Sequence, residues 1–258
     1  MHYRKFISST LFSVLAVVIL LASCSFSPKS APQSGNDGKK DSLGFAVVEL
    51  FTSEGCSSCP PADRLFKQLA IDYQGRNVLF IGLHVDYWDH LGWKDAYSQH
   101  LFTERQQEYA ALRHTEAVYT PQVVVNGYLP VTGSDATKIN KAIEKGLTNR
   151  AIATISLNQN ISEDKIRVHY KTSAASRKDD RLVLVLIQRQ ANSEVANGEN
   201  RGRSLSHINI VRSMIFNKPG EDDIDLPIPA GLKASDVYVA AFLQEKATGH
   251  IIALNMPK

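Results

Sequence analysis

Residues 44–61 read GFAVVELFTSEGCSSCPP, and this stretch organises the rest of the chain. Residues 46–51 are almost continuously apolar, which is the pattern of a strand covered on both faces. A short polar turn follows, and Cys56 and Cys59 come directly after it. The two prolines that come next are tolerated within the first turn of a helix. We therefore predict a strand that runs into a helix, with a CxxC pair in the helix's first turn.

The chain around this junction alternates between helical and extended patterns up to residue 150. Predicted helices cover residues 56–73, 96–112 and 135–147, and predicted strands cover residues 46–51, 78–85, 122–125 and 128–131. Asn126 and Gly127 form a strong hairpin signal between the last two strands. The order β, α, β, α, β, β, α predicts an α/β domain whose early strands are parallel.

After residue 150 the pattern becomes that of a β-rich domain. Predicted strands cover residues 152–158, 165–171, 182–187, 237–243 and 249–254, and several alternate apolar with polar residues. This spacing favours an antiparallel sandwich or a barrel-like fold. Residues 194–203 are polar and are interpreted as a loop. A set of basic and polar residues within and after this interval is interpreted as solvated, with an anion or partner site as the alternative. Its members are Arg201, Arg203, His207, Asn209 and Arg212.

The first residues have the pattern of an export signal. Arg4 and Lys5 precede an apolar segment, residues 11–22, which is too short for a comfortable membrane span and long enough for a signal peptide. The sequence Leu-Ala-Ser-Cys that ends at Cys24 resembles a bacterial lipobox. The resemblance implies cleavage before Cys24 and a diacylglyceryl thioether on its sulfur. An ordinary signal peptide and an uncleaved anchor are the alternatives.

Charge and composition narrow the choice of partners. The formal net charge is +3, and removal of the signal peptide with its two basic residues leaves +1. This balance gives no electrostatic reason to expect a nucleic acid partner. Residues 25–43 are rich in Ser, Pro, Gly and Lys, and we expect a flexible tether there.

The cysteines carry the chemistry that the sequence suggests. With Cys24 lipidated, Cys56 and Cys59 are the only thiols, and an exported protein lies in an oxidising compartment. Near a helix N-terminus the unpaired N–H groups stabilise a thiolate. We therefore assign Cys56 as the nucleophile, with its sulfur facing outward, and Cys59 as the resolving thiol. A structural zinc site lacks further ligands at suitable spacing. An inert disulfide remains an alternative, although so short a loop constrains the unfolded chain little.

These motifs resemble known families. A strand, a CxxC pair, a helix, and then Thr120-Pro121 opening an antiparallel strand resemble the thioredoxin fold. The resemblance implies that Pro121 is cis and packs against the cysteines, and that Thr120 faces the substrate. VELFTSEGCSSCPPAD, HVDYWDHLGW, FTERQQEYA, VYTPQVVVNG and GENRGRSLSHINIVRSM together resemble a family of secreted, thioredoxin-like bacterial proteins catalogued as a domain of unknown function. Gly55 departs from thioredoxin, which has Trp before its first cysteine.

Further residues are candidates for the site. Glu49 interrupts the apolar strand and is the candidate internal acid that accepts the resolving thiol's proton, with Glu54 and Asp63 as competitors. His84 with the two cysteines offers an alternative copper site. Residues 86–93, DYWDHLGW, contain both tryptophans, and they either form a lip beside the cysteines or pack a connecting loop.

The predicted organisation has four parts: a lipoprotein signal peptide (1–23), a tether (24–43), a thioredoxin-like domain (44–150) and a β-rich domain (151–258). The predicted function is that of an extracytoplasmic thiol–disulfide oxidoreductase without a cofactor, acting on protein or small-molecule thiols and disulfides. A copper carrier and a redox-inert adaptor lipoprotein are the alternatives. The expected location is the bacterial cell envelope, anchored through Cys24. In a Gram-negative bacterium, Ser25 favours the periplasmic face of the outer membrane.

Overall fold

The computed structural model describes residues 44–116, 118–128, 130–173 and 179–257. The predicted signal peptide, the tether and the lipidation site at Cys24 lie outside the described residues. Within these ranges, no helix combines the length and the apolar character that a membrane crossing requires.

Three α-helices and eleven β-strands make up the described chain. The helices are α1 (Cys59–Asp72), α2 (His100–Leu112) and α3 (Ala136–Thr148). The strands are β1 (Ala46–Thr52), β2 (Val78–His84), β3 (Gln122–Val125), β4 (Val131–Thr132), β5 (Ile155–Ile161), β6 (Lys165–Thr172), β7 (Asp180–Glu194), β8 (Ser204–Asn217), β9 (Glu221–Pro227), β10 (Val237–Glu245) and β11 (Ile251–Asn255). The sequence predicted all of these except β8 and β9, although the strand predicted at residues 128–131 overlaps β4 only at Val131.

Two sheets contain the strands. The larger is mixed and eight-stranded, in the order β11-β10-β7-β8-β2-β1-β3-β4, and the smaller is β5-β6-β9. β1 pairs with β2 in parallel and with β3 antiparallel. Asn126 and Gly127 have φ angles of 48° and 69° between β3 and β4, as the hairpin signal predicted.

The prediction of an α/β thioredoxin-like domain followed by a separate β-rich domain is wrong. β8 pairs in parallel with β2, with Gly82 opposite Ile210, so strands from both halves of the sequence are neighbours in one sheet. This pairing satisfies backbone groups that β2 would otherwise expose as an edge strand. Leu83 of β2, Val185 of β7 and Phe242 of β10 consequently belong to one hydrophobic cluster.

The two faces of β1 lie against different helices. Val47 and Phe51 belong to the cluster that contains Tyr109 of α2. Val48 and Leu50 point the other way and pack with residues of α1 and α3. Successive side chains of a strand point to opposite faces. Each β1 side chain can therefore be assigned to the α1 side or the α2 side of the sheet.

Candidate functional site

The two cysteines form a disulfide at the junction of β1 and α1. Their Cα atoms lie 5.4 Å apart, and the predicted pairing is confirmed. α1 begins at Cys59, three residues later than predicted, with Ser58 as its N-cap residue. Cys56 lies in the preceding turn, where its N–H donates to the carbonyl of Ser53 and its carbonyl accepts from the Cys59 N–H, both at 3.2 Å. The second sulfur, and not the first, thus belongs to the first helical residue.

Thr120 and Pro121 lie beside the first sulfur. The peptide bond between them is cis, as the resemblance implied. The carbonyl oxygen of Thr120 lies 3.8 Å from Cys56 Sγ, although 64 residues separate the two in sequence. The structure therefore brings together three of the predicted site elements, namely the cysteine pair, Thr120 and Pro121.

The tryptophans of residues 86–93 also lie at this site. Trp88 donates its indole N–H to Thr120 Oγ1 at 2.8 Å, and Trp93 donates to Glu54 Oε2 at 2.8 Å. A Cβ at Gly55 would lie 3.0 Å from Trp88 Cβ, so a larger residue at position 55 would displace this loop. Both interpretations of this segment therefore apply: Trp88 packs against the core cluster, and its indole N–H reaches Thr120 beside Cys56 Sγ.

The connection between β7 and β8 covers the other side of the CxxC turn. We call residues 195–203 the hairpin tip. Asn200 is fully buried and donates its amide N–H groups to the carbonyls of Glu54 at 2.8 Å and Cys56 at 2.9 Å. Glu199 accepts the Ser57 N–H at 3.1 Å, and this bond lowers the pKa of Glu199. Residues 194–203, which the sequence predicts to be a loop, are therefore part of the site.

The hairpin tip and residues 86–93, which we call the tryptophan loop, both bind residues next to the disulfide. Cys56 and Cys59 have no exposed surface, whereas Ser57 and Ser58 between them are exposed. The prediction of an outward-facing first sulfur is therefore wrong for this closed arrangement. An attacking thiolate can reach Cys56 only after a covering segment moves.

Replacing Asn200 by Ala is expected to expose the disulfide. The change removes two hydrogen bonds, each contributing about 1 kcal/mol, and so favours an open tip by up to about 30-fold. Reduction of the native protein by dithiothreitol, followed in a stopped-flow instrument, should accelerate accordingly. Asn197→Ala, an exposed position in the same tip, is the matched control. Equal rates in wild type, control and variant would show that the tip does not limit access.

The structure does not bring Glu49 to the cysteines. Glu49 is fully buried on the α2 side of β1, together with Val47 and Phe51. Arg105 binds both of its carboxylate oxygens, with Nε–Oε1 at 2.6 Å and Nη2–Oε2 at 3.1 Å. Tyr109 donates its hydroxyl to Oε2 at 2.5 Å. The α1 helix that begins at Cys59 lies against the opposite face.

The competing acids lie closer to the pair in the chain and in the fold. Glu54 is fully buried two residues before Cys56, and Asp63 lies one helical turn after Cys59 with its side chain 10% exposed. Burial is the largest influence on Glu54 and opposes its ionisation, but its polar contacts with His207, Ser193 and Trp93 together keep the Glu54 pKa below its usual value. Burial raises the pKa of Asp63.

His84 is paired with a carboxylate. Its Nδ1 lies 2.6 Å from Asp95 Oδ2, and both side chains are buried. Burial opposes the charge of His84, but the Asp95 carboxylate raises its pKa above the usual value. In the part of the chain that the structure describes, no group of three or more His, Cys, Asp or Glu side chains could hold a metal ion. The alternative copper site of Cys56, Cys59 and His84 therefore has no support.

His207 also belongs to the site, contrary to the prediction from the sequence. It belongs to β8 and is 4% exposed, and its ring centre lies 4.8 Å from that of His84. The interpretation of this residue as a solvated surface group is wrong. Its environment depends on the pairing of β8 with β2, which no local pattern predicts.

The site is a buried CxxC disulfide at a strand–helix junction, next to a cis X-Pro bond. These features define a class of protein that carries a pair of cysteines on one large mixed sheet. The chain belongs to the family described as "Protein of unknown function (DUF1223)", whose sequence profile matches residues 47–244. A search of curated proteins finds no match.

Two solved structures are similar to this chain. A crystal structure of a protein from Agrobacterium tumefaciens has 26% sequence identity and a TM-score of 0.61, and the match covers 82% of this chain and 92% of that one. HBP35 of Porphyromonas gingivalis has 19% identity and a TM-score of 0.54, covering 83% of this chain and 75% of that one. The second likeness concerns the fold alone.

Proposed function

We infer that the protein is a thiol–disulfide oxidoreductase of the bacterial cell envelope. The observation that carries this proposal is the Cys56–Cys59 bridge at the start of α1, with the Thr120 carbonyl 3.8 Å from Cys56 Sγ. The hairpin tip binds Ser57 and Cys56 beside the buried bridge, and we propose that movement of the tip opens the bridge to a partner. A disulfide closing so short a loop adds little stability, which argues against a purely structural role.

The proposed reaction starts with a thiolate of the partner. It attacks Cys56 Sγ, so a new sulfur–sulfur bond forms to Cys56 while the Cys56–Cys59 bond breaks. The electron pair of the broken bond goes to Cys59, which leaves as a thiolate. Cys59 is the first residue of α1, where the N–H groups of the helix N-terminus stabilise a negative sulfur. A second partner thiolate then attacks the mixed disulfide, so the partner is oxidised to a disulfide and the Cys56–Cys59 pair is left reduced. The reverse sequence reduces a partner disulfide and restores the Cys56–Cys59 bond.

The proposal includes the partners and the location. Partners are protein or small-molecule thiols and disulfides, since the exchange needs no cofactor. We propose that lipidation of Cys24 attaches the protein to the membrane and that residues 25–43 hold the sheet away from the lipid surface. Residues 25–43 would span about 25 Å as a random coil. In a Gram-negative bacterium this would be the periplasmic face of the outer membrane.

The reduction potential of the Cys56–Cys59 pair tests this function. We expect a value of about −270 to −120 mV, the range of exchange-active proteins, measured by equilibration with glutathione or lipoate buffers. Structural disulfides have potentials below about −300 mV. A value there, together with no exchange with protein disulfides, would support the redox-inert adaptor instead.

A further inference from the structure

Five buried titratable side chains lie around the CxxC turn, and the exchange reaction as written above uses none of them. Their side chains are at most 10% exposed. They come from the turn after β1, from α1, from β2, from the segment after β2 and from β8: Glu54, Asp63, His84, Asp95 and His207. Such a concentration of buried charge costs free energy unless the groups compensate one another.

His207 lies between the two carboxylates that flank the cysteines. Its Nε2 atom lies 3.4 Å from Glu54 Oε1, and its Nδ1 atom lies 3.9 Å from Asp63 Oδ2. Asp63 also accepts the Thr52 hydroxyl at 3.1 Å. One imidazole, contributed by the second half of the chain, therefore faces the acid before Cys56 and the acid after Cys59.

The remaining two groups form a fixed ion pair behind this imidazole. Asp95 accepts the Glu54 N–H and the Tyr97 N–H, both at 2.9 Å, besides its contact with His84. Burial is the largest influence on Asp95 and opposes its ionisation, but the charge and hydrogen bond of His84 together with the N–H groups of Glu54 and Tyr97 lower the Asp95 pKa. Arg212 lies farther out, with its guanidinium 5.2 Å from the centre of the Tyr97 ring.

On the basis of the function proposed above, we propose that Asp63 exchanges the proton that Cys59 gains and loses, and that His207 is a positioning residue that sets the pH of this exchange. The geometry is that of one helical turn: residues four apart on a helix have Cβ atoms about 5–6 Å apart. When the disulfide breaks, the Cys59 thiolate takes the proton of the Asp63 carboxyl, directly or through one water. This leaves a Cys59 thiol and an Asp63 carboxylate. In the reverse direction the carboxylate takes the proton back as Cys59 attacks.

The electrostatics of the cluster suit this role. Burial makes the neutral carboxyl of Asp63 more favourable than in water and raises its pKa, so that a proton is available above the usual range of an aspartate. The charges of His207 and then His84 act in the opposite direction, as does the Thr52 hydroxyl, whereas Asp95 raises the pKa further. His207 is thus the largest single influence that keeps Asp63 able to ionise.

The test is the pH dependence of the reduction of the full-length protein by dithiothreitol. The rate is divided by the thiolate fraction of the reagent. In wild type this corrected rate should fall as pH rises through the pKa of Asp63, because the leaving Cys59 thiolate loses its proton donor. In His207→Gln the fall should occur at higher pH, since the lowering influence of His207 on the Asp63 pKa is gone. Between the two midpoints the variant should be faster than wild type, by up to about tenfold for each pH unit that separates the midpoints.

Two further variants complete the experiment. Asp63→Asn should lower the rate and remove the fall with pH. His169→Gln, a half-buried position on β6 outside the site, should match wild type. A purely structural role for His207 predicts a slower variant with an unchanged midpoint, and that result would overturn the proposal.

The outcome also separates this inference from the proposed function. If the wild type is reduced by dithiothreitol but does not exchange with protein disulfides, the function fails while the pH profiles still decide the role of His207. If exchange is present and all four profiles coincide, the function stands and this inference is wrong. A disulfide that dithiothreitol cannot reduce in the native protein would overturn both.

Discussion

Cys56→Ala is expected to abolish thiol–disulfide exchange, with a loss of at least about a thousandfold. The physical reason is that the sulfur that forms the mixed disulfide is gone, and catalytic groups that act as a unit show losses of this order or larger. The measurement is turnover of a protein disulfide substrate in the presence of excess dithiol.

Cys59→Ala is expected to behave differently, because it keeps the nucleophile and removes only the resolving sulfur. Mixed disulfides should therefore accumulate, visible as a mass increase on non-reducing analysis.

Cys24→Ala is the matched control for these two variants. It removes the predicted lipid anchor and leaves both sulfurs of the Cys56–Cys59 pair in place. Its exchange rate in solution should equal that of wild type. The proposed function fails if both Cys56→Ala and Cys59→Ala retain the wild-type rate, or if Cys59→Ala traps no partner under conditions where wild type turns over.

The elements near the cysteines could be predicted from the sequence because their signals are local. The apolar run before the cysteines became β1, and the hairpin signal at Asn126-Gly127 became the turn between β3 and β4. The overall architecture was predicted wrongly because it depends on a contact between distant segments. β8 joins β2 at Gly82 and Ile210, and no periodicity in either strand reveals that the other is its neighbour.

The site shows the same division between local and distant information. The positions of Cys56, Cys59, Thr120 and Pro121 follow from motifs within the first half of the chain. Asn200 and His207 reach the site only because the β7–β8 hairpin folds onto the CxxC turn. Both residues lie in the segment GENRGRSLSHINIVRSM, and its resemblance to a family motif is the signal in the sequence that this segment matters.

Strand alternation would have located Glu49 more accurately. Thr52 faces Asp63 of α1, and Glu49 lies an odd number of residues away on the same strand. Because neighbouring side chains of a strand point to opposite faces, an odd separation puts Glu49 on the other side of the sheet. Its role as the internal acid stays a prediction, and the contacts it makes in the structure are those of a buried ion pair with Arg105.

Arg105→Met is expected to destabilise the protein by about 3–5 kcal/mol, since it leaves the Glu49 carboxylate buried without its cation. Arg105 is 1% exposed and also donates to Gln244 of β10 and Tyr109 of α2, so the pair joins both halves of the large sheet. The measurement is the free energy of unfolding in urea, with the slope m as a check on two-state behaviour.

Two comparisons distinguish a buried unpaired charge from simple loss of packing. Arg76→Met breaks the ion pair with Glu144, whose side chains are 46% and 52% exposed, and it should cost at most about 1 kcal/mol. The double variant Glu49→Leu/Arg105→Met removes both charges and should recover most of the stability lost by Arg105→Met alone, because the desolvation penalty disappears with the carboxylate. A double variant as unstable as the single one would contradict this account. If the double variant exchanges disulfides at nearly the wild-type rate, Glu49 serves only to stabilise the sheet. The group that exchanges a proton with Cys59 must then be an acid on the α1 side of the sheet.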